Sequence, residues 1–224
     1  MNFLSMLMNS KNQLNPKAYG FAHRKAKDEI NLRSFYISKE CVHPFAKSLS
    51  LSSQVKKLNL SRTRLSEHAA VEVIKNIPIH LQDLDLSGNP NIHHGVVKVL
   101  CEYVLEDARS LLRSLELENC NVRDEGALHL SKALLGRCQL RFLNLASNEI
   151  KEAGAQHISR SLQQNKCLLV LFLHWNPIRH SGGKYIAKAM QQNQSLQVLD
   201  LSFCGLGQKK DSNAGTWKPK TSMA

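Results

Sequence analysis

Leucines dominate the hydrophobic pattern of this chain, and they recur in a fixed frame. Six segments align: VKKLNLSRTRL from Val55, LQDLDLSGNPNI from Leu81, LRSLELENCNV from Leu112, LRFLNLASNEI from Leu140, LLVLFLHWNPI from Leu168 and LQVLDLSFCGL from Leu196. The last four starts are evenly spaced; by that measure the step from Val55 to Leu81 is two short and the step from Leu81 to Leu112 three long. The leucines at frame positions four and six alternate with other residues at a period of two, which predicts a short strand with one buried face. Position nine holds Thr63, Asn89, Cys120, Asn148, Asn176 and Cys204. There the chain turns away from the strand, and a short polar side chain can satisfy backbone groups that would otherwise be buried without partners. Six residues later comes a small residue (Ala69, Gly95, Gly126, Gly154, Gly182), which opens a helix and permits close packing on the neighbouring turn. Apolar side chains follow it after four and eight residues: Val73/Ile77, Val99/Tyr103, Leu130/Leu134, Ile158/Leu162 and Ile186/Met190. That series occupies one helix face, turned toward the strand layer. One such β-α unit cannot bury both its faces, whereas stacked units share a continuous core.

A repeat of about 28 residues with a full helix resembles the ribonuclease-inhibitor class of leucine-rich-repeat proteins, over roughly residues 55–206. That class includes ribonuclease inhibitor, the sensor arrays of NLR proteins, Ran GTPase activators, tropomodulin tails and several axonemal proteins. The resemblance implies an α/β fold: a leucine-rich-repeat solenoid, or horseshoe, with a concave parallel sheet, convex helices and about six to seven repeats. It also implies that partners bind on the concave face, although such a family specifies a fold more firmly than a task.

Three regions are expected: an N-terminal capping segment over 1–31, the solenoid over 32–206 and a disordered basic tail over 207–224. The capping segment includes an amphipathic turn made by Phe3, Leu4, Leu7 and Met8. A shortened first repeat is expected from Leu32, with Phe35 and Ile37 in strand positions and Ala46 near the helix start, closer to Val55 than a full repeat allows. The second full repeat is three residues long, so its helix, which includes CEYVLEDARS, extends or makes a looser junction. After Leu206 the frame stops, leaving the last strand without a helix or a visible cap. Either another chain covers that end or this is a shortened product of a longer array.

Composition changes this picture little. Hydrophobic residues at 42% allow a substantial core, while aromatics at 6% are sparse. The net charge of +12 suggests a nucleic-acid partner until it is divided: residues 1–54 contribute +5, residues 205–224 contribute +3, and the 150 residues between them only +4. Such charge gives a weak attraction to polyanions without specificity, so no specific nucleic acid is expected. No apolar run reaches the length of a membrane-spanning helix. The six cysteines include no C-x-x-C pair, and no secretory signal precedes them, which predicts reduced thiols in a cytoplasmic protein, a nuclear or ciliary location being the variants. The sequons at Asn59 and Asn193 are then chance matches. A mitochondrial presequence, suggested by the lack of acids before Asp28, is disfavoured by interrupting Asn and Pro residues and by scarce arginine.

No catalytic residue, metal site or cofactor is expected. Gly182-Gly183 sits where the repeat itself needs a small residue, His93-His94 occupies a turn with no third ligand nearby in sequence, and Cys120 and Cys204 fill the asparagine slot. The concave surface remains, built from frame positions three, five, seven and eight. It is basic in the first full repeat (Lys57, Asn59, Ser61, Arg62) and acidic in the next two (Asp83, Asp85, Glu116, Glu118). In the last three it carries Phe142, Val170, Phe172, His174, Trp175, Val198 and Phe203. Charges on such a face are often only solvated, but an apolar cluster of this size exceeds what soluble monomers usually expose. Phe172, Trp175 and Phe203 are expected to form one patch, because neighbouring repeats stack about 5 Å apart. The favoured function is a non-catalytic scaffold that binds a protein partner through the concave face. The alternatives are a regulator of a small GTPase or other enzyme, and a structural subunit of an axonemal or other cytoskeletal assembly.

Overall fold

The computed structural model describes residues 28–136 and 138–207. The amphipathic turn near Phe3 and the tail beyond Gly207 lie outside the described residues. Among those described, seven strands of three residues form one parallel sheet in sequence order: β1 (Glu29–Asn31), β2 (Lys57–Asn59), β3 (Asp83–Asp85), β4 (Ser114–Glu116), β5 (Phe142–Asn144), β6 (Val170–Phe172) and β7 (Val198–Asp200). Helices fill the connections: α1 (Lys39–Ser50), α2 (Glu67–Lys75), α3 (His94–Leu100), α4 (Arg123–Leu135), α5 (Glu152–Leu162) and α6 (Arg179–Met190). This is the α/β leucine-rich-repeat solenoid that the resemblance implies.

The central residues of the strands, Ile30, Leu58, Leu84, Leu115, Leu143, Leu171 and Leu199, pair in one unbroken register. Slipping a strand by one residue would turn its buried leucines outward and, in most strands, polar residues into the core, so the pleat itself locks the register. The position-six leucines from Leu60 to Leu173 are buried beside them, and Val73, Leu130, Ile158 and Ile186 close the core from the helix side. At β7 this burial weakens: Leu196, Leu199 and Leu201 are only partly covered.

The first repeat differs from the sequence-based expectation. Its strand is Glu29–Asn31, not a segment carrying Phe35 and Ile37, and Glu29 pairs with Lys57. The frame therefore starts at Lys27, one full repeat length before Val55, with Ile30 and Leu32 at positions four and six. Phe35 falls at position nine, and Ala46 lies well inside α1. The second repeat absorbs its three extra residues as a turn of π-helix over Cys101–Leu105, continuous with α3. That wider turn buries Val104 and Leu105 and rotates Tyr103 outward, against the expectation that Tyr103 faces the core; Lys75 Nζ lies 5.3 Å over its ring.

Polar side chains stitch one repeat to the next. Asn148 accepts from Cys120 N and Val122 N at 2.9 and 3.2 Å and donates to Leu117 O and Ala146 O. Asn176 repeats the pattern on Asn148 N, Ile150 N, Leu145 O and Leu173 O, and Asn89 serves Leu65 N, Leu60 O and Leu86 O. Cys120 and Cys204 keep the donor half of this role, their thiols reaching Leu86 O and Leu173 O at 3.2 and 3.1 Å. A second ladder, which the frame did not suggest, runs behind the strands: Asn165 Nδ2 donates to Leu134 O and Asn193 Nδ2 to Leu162 O. At the start of α5, Asp124 of the preceding repeat accepts from Lys151 N and Gly154 N. A Cβ on Gly154 would lie 2.5 Å from that carboxylate, so the small residue at this frame position is a requirement of close approach.

Candidate functional site

Helices cover one face of the sheet, and the other is lined by the side chains of frame positions three, five, seven and eight. At its N-terminal end, carboxylates from several strands gather. Lys57 Nζ lies 3.2 Å from Asp83 Oδ2 across β2 and β3, a pairing that raises the lysine's pKa through the hydrogen bond to Asp83. One strand further, Asp85 stands directly opposite Glu116 in the register, and like charges so placed repel. Burial, and then the neighbouring Asp85, push the Glu116 carboxyl above the usual carboxylate range. Glu118 accepts from Asn144 Nδ2 at 3.3 Å. Among the described residues, no lysine or arginine forms an ion pair with Asp85, Glu116 or Glu118. Asp85 and Glu116 line a groove of about 330 Å³ that also takes in Glu29, Lys57, Asn59 and Asp83, and with Glu118 they line an adjoining hollow of about 140 Å³ beside Arg33, Arg62 and Ser87.

Toward the C-terminal end the face becomes aromatic. Phe142 on β5 meets Phe172 on β6 edge to face, centroids 5.4 Å apart, and the His174 ring lies 5.9 Å beyond. His174 Nδ1 is 3.1 Å from Asp200 Oδ2 but is not aligned as a hydrogen bond. Hydrogen bonds from Ser202 hold the Asp200 carboxyl below its ordinary range. Trp175 and Phe203 form a separate pair, stacked at 4.2 Å and nearly parallel at 9°. They are 59% and 71% exposed, the level of a surface side chain rather than of gap filling.

The single patch expected from Phe172, Trp175 and Phe203 is thus two ring pairs. Positions five and eight are three residues, about 10 Å, apart along the strand direction, so rings meet their own level in the next repeat more readily than each other. Position eight is also special in its backbone. Ser34, Arg62, Gly88, Asn119, Ser147, Trp175 and Phe203 all have φ from 53° to 70°, the left-handed region. Glycine and asparagine tolerate that region, whereas a bulky aromatic there is strained.

The remaining candidates resolve into structural roles. His93 caps α3, its Nδ1 accepting from Gly95 N at 3.2 Å, while its Nε2 lies 3.3 Å from Glu67 Oε2. Cys120 and Cys204 are buried. Sequence reasoning missed Glu29 and Arg33 because it placed the first frame five residues late. Stepping back one repeat length from Val55 would have found both.

Comparisons with known proteins agree with this architecture. A family model described as Leucine Rich repeat matches residues 110–131 and 192–209. Among solved structures, the chain is similar to Leiomodin-1 Actin-Binding Site 2 (ABS2), at 26% identity over 60% of this chain and 78% of that one, with a TM-score of 0.52. It is also similar to a tropomodulin C-terminal domain from Caenorhabditis elegans, at 16% identity over 62% of this chain and 84% of that one, with a TM-score of 0.48. A comparison with curated proteins gives no match. The repeat geometry, the family-model match and the likeness to the leiomodin segment agree on a leucine-rich-repeat fold.

Proposed function

We propose that the chain is a non-catalytic scaffold that binds a protein partner through the concave face of its repeat array. The observation that carries this reading is the Trp175–Phe203 pair: two large rings held stacked and mostly exposed, on backbone that disfavours them. Neither exposure nor a left-handed backbone helps the isolated chain fold, and the same slot holds serine, arginine, glycine or asparagine in the other repeats. Rigid aromatic anchors commonly dominate protein interfaces, each costing about 2 kcal/mol or more of binding when truncated.

The test replaces Trp175 and Phe203 with asparagine, which accepts the left-handed backbone. The double variant should melt no earlier than the parent. In cross-linking mass spectrometry from native extract, it should lose the parent's specific partners. A variant that is folded and still captures all of them would remove the support for this reading, and early melting would show that the rings serve the fold.

A second reading, a cytoskeletal subunit, is favoured by the likeness to a leiomodin segment described as an actin-binding site. Co-sedimentation with filamentous actin separates the two. Saturable pelleting would support the cytoskeletal reading, and its absence would leave the scaffold alone.

A further inference from the structure

The chemistry of the concave face narrows what can occupy it, given the reading above that this face binds a partner. We infer that the contacting part of that partner is an extended cationic segment, with lysine or arginine set against Asp85, Glu116 and Glu118 and an apolar side chain set on Phe142 and Phe172.

Two features converge on this occupant. Asp85 and Glu116 are direct cross-strand neighbours, and no described lysine or arginine comes within ion-pair distance of them: Lys57 is paired with Asp83, and Arg33, which partly offsets the Glu116 charge, and Arg62 line the adjoining hollow without bonding to either acid. A cation placed between the two carboxylates removes a repulsion that the free protein must carry. The Phe142–Phe172 pair begins one strand beyond Glu116, on the same face. Parallel strands lie about 4.8 Å apart, so Glu116 on β4 and Phe172 on β6 are separated by about 10 Å. An extended segment crossing the strands covers that span in about three residues, which sets the spacing between its cationic and apolar side chains. The chain as a whole is strongly basic at +12, so a cationic partner is not drawn to it generally; only the segment that enters the groove meets a favourable field.

The probe is a random dodecapeptide library displayed on phage and panned against the full chain. Enriched peptides should be net positive, with an apolar residue three or four positions from a lysine or arginine. A synthetic winner should bind about tenfold more weakly to Glu116→Gln/Glu118→Gln, and added salt should weaken its binding to the parent far more than to that variant. Phe172→Ser should weaken binding comparably without changing the salt dependence. Neutral or acidic winners that are still lost on Phe172→Ser would overturn the cationic occupant while leaving the concave face as the binding site. Winners indifferent to Glu116, Glu118 and Phe172 would overturn this occupant of the groove, while the concave-face reading would stand or fall on the Trp175/Phe203 variant described above. A synthetic peptide of residues 1–27, which holds five Lys/Arg and no acid, is run alongside. If it outcompetes every winner on this face, the occupant is the chain's own segment and the partner inference fails.

Discussion

Asn148 joins two repeats through one carboxamide, which serves two amides and two carbonyls that are all shut away from water. Removing it leaves those groups without partners, and each unsatisfied buried group costs about 1–3 kcal/mol. Asn148→Ala should therefore lower unfolding stability by ~3 kcal/mol or more in urea titration. Asn148→Asp, which keeps the acceptors and loses the donors, should fall between parent and alanine. A loss below ~1 kcal/mol for alanine would mean that the backbone relaxes to find other partners. The cysteines allow a second residue-level prediction. Burial pushes the Cys120 thiol up to about 12 and the Cys138 thiol up to about 11, whereas Cys167 is exposed. Since the thiolate is the reactive form, iodoacetamide at mildly alkaline pH should label Cys167 in the folded protein and all six cysteines in denaturant. Comparable labelling of Cys120 and Cys167 in the folded state would contradict the burial described. Position nine was legible in the sequence because it recurs. Asp124, Asn165 and Asn193 were not, because they lie outside the leucine frame and stand among ordinary surface polar residues.

Strands and helices differ in how tightly the sequence specifies them. The strands follow from two leucines and a pleat, and six of the seven lie where the frame puts them. The first was misplaced because its leucine at position four is Ile30 and its position nine is Phe35, so the commonest markers are absent. The helices tolerate more: α2 has 9 residues, α4 has 13, and the second repeat adds a π turn. The aromatic face was legible as a set of residues but not as an arrangement, since ring pairing depends on height along the strand. At β7, partly covered leucines and pairing on one side only should let the element open first. Hydrogen exchange should show Gln197 and Val198, bonded to Leu169 O, exchanging faster than Arg141 and Phe142, bonded to Arg113 O. Equal protection would mean that another part of the chain covers this edge.

As a whole molecule, the array is held together by contacts between neighbours, so its stability is close to a sum over repeats and junctions. The overall charge says little about its face: a strongly basic chain carries an acidic groove, because the sum over all residues hides their placement. The π turn points to a further consequence. Repeats that run short after Val55 and long after Leu81 feed strands that remain in unbroken register. The excess and the shortfall are both lodged among the helices. A small insertion or deletion on the outer side therefore passes almost silently, while a single substitution at frame positions three, five, seven or eight alters what the inner face presents. In a gene for such an array, changes of length and changes of letter fall on separate targets, and the inner face can acquire new specificities without disturbing the alignment on which they are displayed.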